Sequence, residues 1–127
     1  MGMGQVQNDF QLTRNFNLRE FICPHCGAVI IHPRLVNLLQ KIRDKVNKPV
    51  HVISGYRCAE RNKAVGGAFN SYHMVGMAAD IYVKGVTGKE LADLINAYWY
   101  EEIGGMGIAK NAVHIDIRPH GRPRWTY

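Results

Sequence analysis

The sequence predicts an α+β fold: a small single domain whose helices pack on a mainly antiparallel sheet. Two stretches, one early and one mid-chain, carry apolar residues at helical spacing. The alternating segments cluster late and lack the strand–helix–strand regularity of a parallel sheet. At 127 residues, 46% of them hydrophobic, the chain suits one domain with one real core.

Residues 1–15 read as a disordered or extended tail, and 16–127 as the domain. At its start, Asn17 can cap a helix and Glu20 can reach back to it, with Phe16 and Phe21 placed as a hydrophobic staple. Cys23-Pro24-His25-Cys26-Gly27 follows as a tight turn. Pro33 suits a first helical position, and Leu35, Leu38, Leu39, Ile42 and Val46 fall on one helical face, ended by Pro49. Val50–Ile53 is short and β-branched, a strand.

Residues 54–78 hold one short helix after Arg57 and otherwise loop, and so long a loop in a small domain is usually functional. Ala79, Ile81 and Val83 alternate with Asp80 and Tyr82 as a strand. Thr87 and Glu90 form a second capping box for a helix to Tyr100, with Leu91, Leu94, Ile95 and Tyr98 on its buried stripe and Trp99 in core packing. Gly104–Ala109 is a Gly-rich strand, and Val113, Ile115 and Ile117 alternate with His114, Asp116 and Arg118.

Composition narrows the function. No apolar run approaches the roughly 18–20 residues of a bilayer span, so no membrane insertion is expected. The N-terminus lacks the basic-then-apolar order of a signal peptide, which implies synthesis in the cytoplasm without a leader. The formal charge of +6 favours either solubility or an anionic partner. The basic residues form no run, which speaks against nucleic acid. A monomer is expected. Three cysteines cannot complete a disulfide framework. Cys23 and Cys26, with His25 or Cys58, make a possible second, structural zinc site; a local disulfide or free thiols are the other readings.

The chemistry concentrates in His73, Asp80 and His114. A catalytic zinc takes three N, O or S donors and leaves one position open. His73 ends the glycine-rich loop, Asp80 opens a strand seven residues on, and His114 projects from the polar face of the last strand. Two imidazoles and a carboxylate leave the metal net positive, able to bring the pKa of bound water to about 7.

Ser54-Gly55-Tyr56-Arg57, Gly66-Gly67-Ala68 and Ser71-Tyr72-His73 through Asp80, followed by Gly105-Met106-Gly107-Ile108 and Val113-His114-Ile115-Asp116-Ile117-Arg118, resemble the signature of the M15 zinc peptidases. These are D-Ala-D-Ala carboxypeptidases and related phage endolysins. The likeness covers roughly residues 16–127.

The resemblance implies one catalytic Zn2+ on His73, Asp80 and His114 at the polar face of the sheet, with Arg57 holding or polarising substrate. It implies hydrolysis of peptidoglycan stem peptides at the bacterial cell wall, as a D,D-carboxypeptidase. The alternatives are an endolysin-type endopeptidase and a non-catalytic, zinc-stabilised wall-binding module. Anionic wall polymers would suit the positive charge.

Tyr56, Ser71, Tyr72 and Trp125 are further candidates for the peptide cleft. The general base is less direct. Family branches place Glu three residues, or His two residues, before the last ligand; here these are Asn111 and Ala112, neither able to shuttle a proton. Asp116, on the strand face of His114, is the remaining candidate, with Glu101 and Glu102 as substitutes. Its other reading is a residue that orients His114 or Arg118.

Overall fold

The structure is a computed structural model that describes residues 10–127. Of the expected tail, residues 1–9 lie outside the described residues, but Gln11–Thr13 form a strand, β1, paired antiparallel with β2 (Phe16–Asn17). Thr13 Oγ1 and the Asn15 N–H both bond the Gln40 side chain. The ordered fold therefore reaches into the segment read as tail, because these polar groups find partners on the first long helix.

The Asn17–Glu20 capping box forms, with both reciprocal bonds, over a 3-10 turn at Leu18–Phe21, and the Phe16 and Phe21 rings sit 6.2 Å apart as the staple requires. Helix α1 (Pro33–Val46) starts on a His32 cap. It ends at Asn47 in the left-handed conformation, two residues before Pro49. After β3 (His51–Ser54) come the short helix α2 (Ala59–Ala64) and a 3-10 turn at Tyr72–Val75. Then follow β4 (Ala78–Tyr82), α3 (Gly88–Trp99), β5 (Met106–Ile108), β6 (Val113–Asp116) and β7 (Arg124–Thr126).

The main sheet has the order β3-β4-β6-β5-β7, antiparallel except where β5 meets β7. One face carries Ala79, Ile81, Val113 and Ile115, buried against Leu35, Leu39 and Ile42 of α1 and Leu91 and Ile95 of α3. Each such side chain contributes roughly 1.5–3 kcal/mol by leaving water. Tyr98 departs from the expected stripe. It is 55% exposed, with Lys45 Nζ 4.1 Å from its ring centre, because its position turns the phenol past the core edge. Trp99 packs partly buried against the core, as expected. Among the described residues no helix is long and apolar enough to cross a membrane.

Candidate metal centre and cleft

Strand register assembles the centre. Ser54 pairs with Asp80, Asp80 with His114, His114 with Gly107, and Gly107 with Trp125. This is one row across five strands, on the face away from the helices. Gly107 has a close-approach reason: a Cβ there would run into the Trp125 indole. Its absence lets Trp125 lie over the strand with its ring 5.2 Å from that of His114. His73 enters from outside the sheet, on the 3-10 turn capped by Ser71, and is 2% exposed.

For neutral imidazoles, the hydrogen bonds decide which nitrogen carries the proton. His73 Nδ1 lies 2.7 Å from the Gly55 carbonyl, an acceptor only, so Nδ1 donates and Nε2 keeps its lone pair. His114 Nε2 lies 2.9 Å from Asp116 Oδ2, so Nε2 donates and Nδ1 keeps its lone pair. Both lone pairs then face Asp80 Oδ1, at 3.1 Å from His73 Nε2 and 3.0 Å from His114 Nδ1.

Three acceptors converge with no donor among them, an arrangement that calls for a cation. Zinc bonds of about 2.0–2.2 Å in a tetrahedron separate the donors by about 3.3–3.6 Å, a few tenths of an ångström beyond these spacings. Imidazole, imidazole and carboxylate are also donors that zinc accepts. The residues therefore fit the ion.

The electrostatics agree. When the imidazoles are protonated they donate to Asp80 Oδ1 instead: burial pushes the Asp80 carboxyl up, but hydrogen bonds and charge from His114 and His73 then outweigh it and hold the group well below the usual carboxylate range. Burial pushes His114 down, yet its bonds to Asp116 and Asp80 raise it above its ordinary value. Both shifts draw a proton to the position a cation would fill.

Arg57 donates from Nε to Ser54 Oγ at 3.0 Å, from Nη1 to Asn62 Oδ1 at 3.3 Å and from Nη2 to Asp80 Oδ2 at 2.9 Å. Expected to hold substrate, its guanidinium in this structure holds the outer oxygen of Asp80. Asp116 is 0% exposed. Its Oδ1 accepts from the Gly105 N–H at 2.7 Å and Arg118 Nε at 2.8 Å, and its Oδ2 from His114 and Arg118 Nη2 at 2.7 Å. Burial raises its carboxyl, but these donors prevail and hold it well below the usual range. A side chain on Gly105 would displace this Asp116–Arg118 pair.

A cavity of about 500 Å³ opens over the centre, lined by His73, Asp80 and His114 with Arg57, Ser71, Tyr72, Arg118, Trp125 and Tyr127 among others. The Arg118 guanidinium lies 4.7 Å from the Tyr72 ring and 5.8 Å from the Trp125 ring, which makes one cationic-aromatic wall. Of the expected cleft residues, Ser71, Tyr72 and Trp125 are here. Tyr56 does not line the cavity; it lies beside the cysteines, where burial and then the charge of Cys26, Cys58 and Cys23 raise its phenol.

Glu101 and Glu102 are also elsewhere. They line a larger hollow of about 900 Å³ between the start of α1 and residues 117–122. There they pair with Arg122 and Lys41, because the α3–β5 turn carries them past the sheet edge. Among the described residues lining the smaller cavity, Asp80 has the only acidic side chain. Tyr127, Asn62 and the Gly55 carbonyl joined the site without a role having been expected of them. The Gly55 carbonyl is a backbone group with no side-chain signal, whereas Asn62 lies inside the motif region, five residues after Arg57.

A sequence profile of the family described as Peptidase M15 matches residues 12–116. The chain is 34% identical over 127 aligned residues to Peptidoglycan L,D-endopeptidase MepK of Escherichia coli (strain K12), covering 93% of this chain and 66% of the relative. The same-named protein of Shigella flexneri gives the same figures. The chain thus spans slightly less than two thirds of these relatives' length.

Proposed function

The chain belongs to the M15 peptidases, and we propose that it is a zinc-dependent peptidase cleaving within the peptide stems of peptidoglycan. The observation that carries the metal is the convergence of three acceptor atoms, on His73, Asp80 and His114, with no donor between them. When bound there, zinc would supply Lewis-acid chemistry, polarising a peptide carbonyl and making water a competent nucleophile near neutral pH.

The chain's own residues position this chemistry. The Gly55 carbonyl and Asp116 hold His73 and His114 in the tautomers that present a lone pair. Arg57 fixes Asp80 from behind. The Tyr72–Arg118–Trp125 wall offers flat, partly apolar surface to an extended peptide. We assign Asp116 to orienting His114 rather than to proton transfer, since both its oxygens are engaged and it is buried away from the cavity.

Cutting inside the stem is favoured over removal of a terminal D-Ala. A carboxypeptidase needs a cation to receive the free terminal carboxylate. The Lys and Arg residues lining this cavity are Arg57 and Arg118, and each already holds an aspartate. The relatives' name, an L,D-endopeptidase, points the same way.

Mass spectrometry of purified peptidoglycan digested with and without chelator tests this. Metal-dependent fragments split within the stem are expected. Loss of single terminal D-Ala residues would instead give the D,D-carboxypeptidase. No metal-dependent product at all would give the non-catalytic wall-binding module.

A further inference from the structure

A second cluster begins one residue after Arg57, at Cys58, in a part of the molecule that the peptidase reading leaves unused. The Cys23-x-x-Cys26 turn meets Cys58, the cap of α2, and the three sulfurs lie within 4.8 Å of one another. Cys23 is buried, Cys58 half-buried and Cys26 exposed, and none is in a disulfide. The Cys23 and Cys58 sulfurs are 3.6 Å apart. A tetrahedral zinc with bonds of about 2.3 Å sets its sulfur ligands about 3.8 Å apart.

Backbone geometry surrounds the sulfurs with donors. The turn is closed by Cys23 N–H to the Ala28 carbonyl at 2.8 Å and Gly27 N–H to the Cys23 carbonyl at 2.9 Å. The backbone N–H groups of Cys58, Cys26 and His25 are directed at the Cys23 sulfur, and that of Ala28 at the Cys26 sulfur. The Arg61 N–H reaches the Cys58 sulfur at 3.5 Å. Each of the three sulfurs thus has a backbone N–H to accept from, a setting that can hold and orient a metal-bound sulfur. A disulfide would use two sulfurs and strand the third.

We propose that Cys23, Cys26 and Cys58 form a second metal site, which takes zinc or a similar thiophilic divalent ion on three thiolates. The fourth position faces solvent beside exposed Cys26, because His25 is turned away to Glu60 at 3.2 Å. The site would fasten the Phe21–Ala28 segment to Gly55–Cys58. That joint is already marked by the Tyr56 N–H bond to the Phe21 carbonyl at 2.9 Å. The fastened segment carries the Gly55 carbonyl that orients His73 and the Arg57 that holds Asp80. Its role is thus to steady the metal centre from outside the cavity, and it holds whether or not the chain cleaves peptidoglycan.

The test uses the full chain, purified under reducing conditions. Elemental analysis is expected to give about two equivalents of zinc in the unmodified protein. About one should remain after Asp80→Ala with His114→Ala, and near none when Cys26→Ser is added to that pair. Loading the unmodified protein with cobalt(II) is expected to give a thiolate-to-cobalt charge-transfer band in the near ultraviolet, which needs no variant to fold. Absence of that band in reduced protein overturns the site. So does a zinc content that Cys26→Ser leaves unchanged, or a cysteine pair that remains disulfide-bonded in the metal-containing protein.

Discussion

The two clusters are built from opposite materials. His73, Asp80 and His114 stand largely on a sheet, and each is oriented by a further group: the Gly55 carbonyl, Arg57 and Asp116. Cys23, Cys26 and Cys58 stand on a turn and a helix cap, and backbone N–H groups do the orienting. The first opens into a cavity; the second has one buried, one half-buried and one exposed sulfur. A rigid platform with an open position suits catalysis, whereas a knot between two loops suits fastening. The difference can be broken at either end.

The largest effect is expected from Asp80→Ala. It removes one of three ligands and strands Arg57, so zinc at the sheet should fall to background. Turnover on peptidoglycan should fall about 10³-fold or more, as several kcal/mol of charge stabilisation disappear. Zinc at the cysteines should be unchanged. Elemental analysis beside a digestion assay reads both, and a Cys26→Ser protein should show the converse pattern, with metal lost at the cysteines and turnover lowered only as far as the sheet centre loosens.

Arg57→Lys keeps the charge but loses the fork that joins Ser54, Asn62 and Asp80. Zinc affinity at the sheet is expected to weaken by about 10–100-fold, measured by competition with a chelating dye. Unchanged affinity with lower turnover would return Arg57 to substrate binding.

Asp116→Asn has a comparable expected size on affinity, about 10–100-fold, but turnover at saturating zinc should be largely kept. A loss of about 10²–10⁴ in turnover at saturating zinc would restore Asp116 as the base.

A smaller effect lies in acid. The folded Asp116 carboxyl is held below its unfolded value near 3.9, so it stabilises the fold above that pH and the contribution is lost as pH falls toward the folded value. Chemical denaturation of metal-free protein should therefore show Asp116→Asn losing less stability than the unmodified chain between about pH 5 and pH 2. Smallest of all, if the formal charge of +6 aids contact with an anionic wall, binding to intact wall should weaken with salt while cleavage of a short soluble peptide changes little.

Much of this was legible in the residues, for identifiable reasons. Capping boxes at Asn17 and Thr87 and the apolar stripe of α1 are local signals, and all three formed where the pattern put them. Alternation around Asp80 and His114 placed both on the polar face, and pairing of β4 with β6 made them neighbours. Strand β7, parallel to β5, was not legible, because Arg124–Thr126 is too short to alternate and its pairing is non-local.

The environment of Asp116 was hidden for a different reason. Period-two alternation gives its face, but Arg118 and the Gly104–Gly105 segment before β5 close over that face, and such closure has no periodic signature. Cys58 joined the cysteine turn through packing across 35 residues of sequence, which spacing alone does not select.

The most direct test of the catalytic centre is zinc back-titration. Protein stripped by chelator is refilled in steps while hydrolysis of purified peptidoglycan is followed. Activity should be absent in the stripped protein and return as zinc fills the sheet site, and an Asp80→Ala protein should regain none. Hydrolysis that proceeds undiminished without metal, or that zinc restores equally in Asp80→Ala, would contradict the centre on His73, Asp80 and His114.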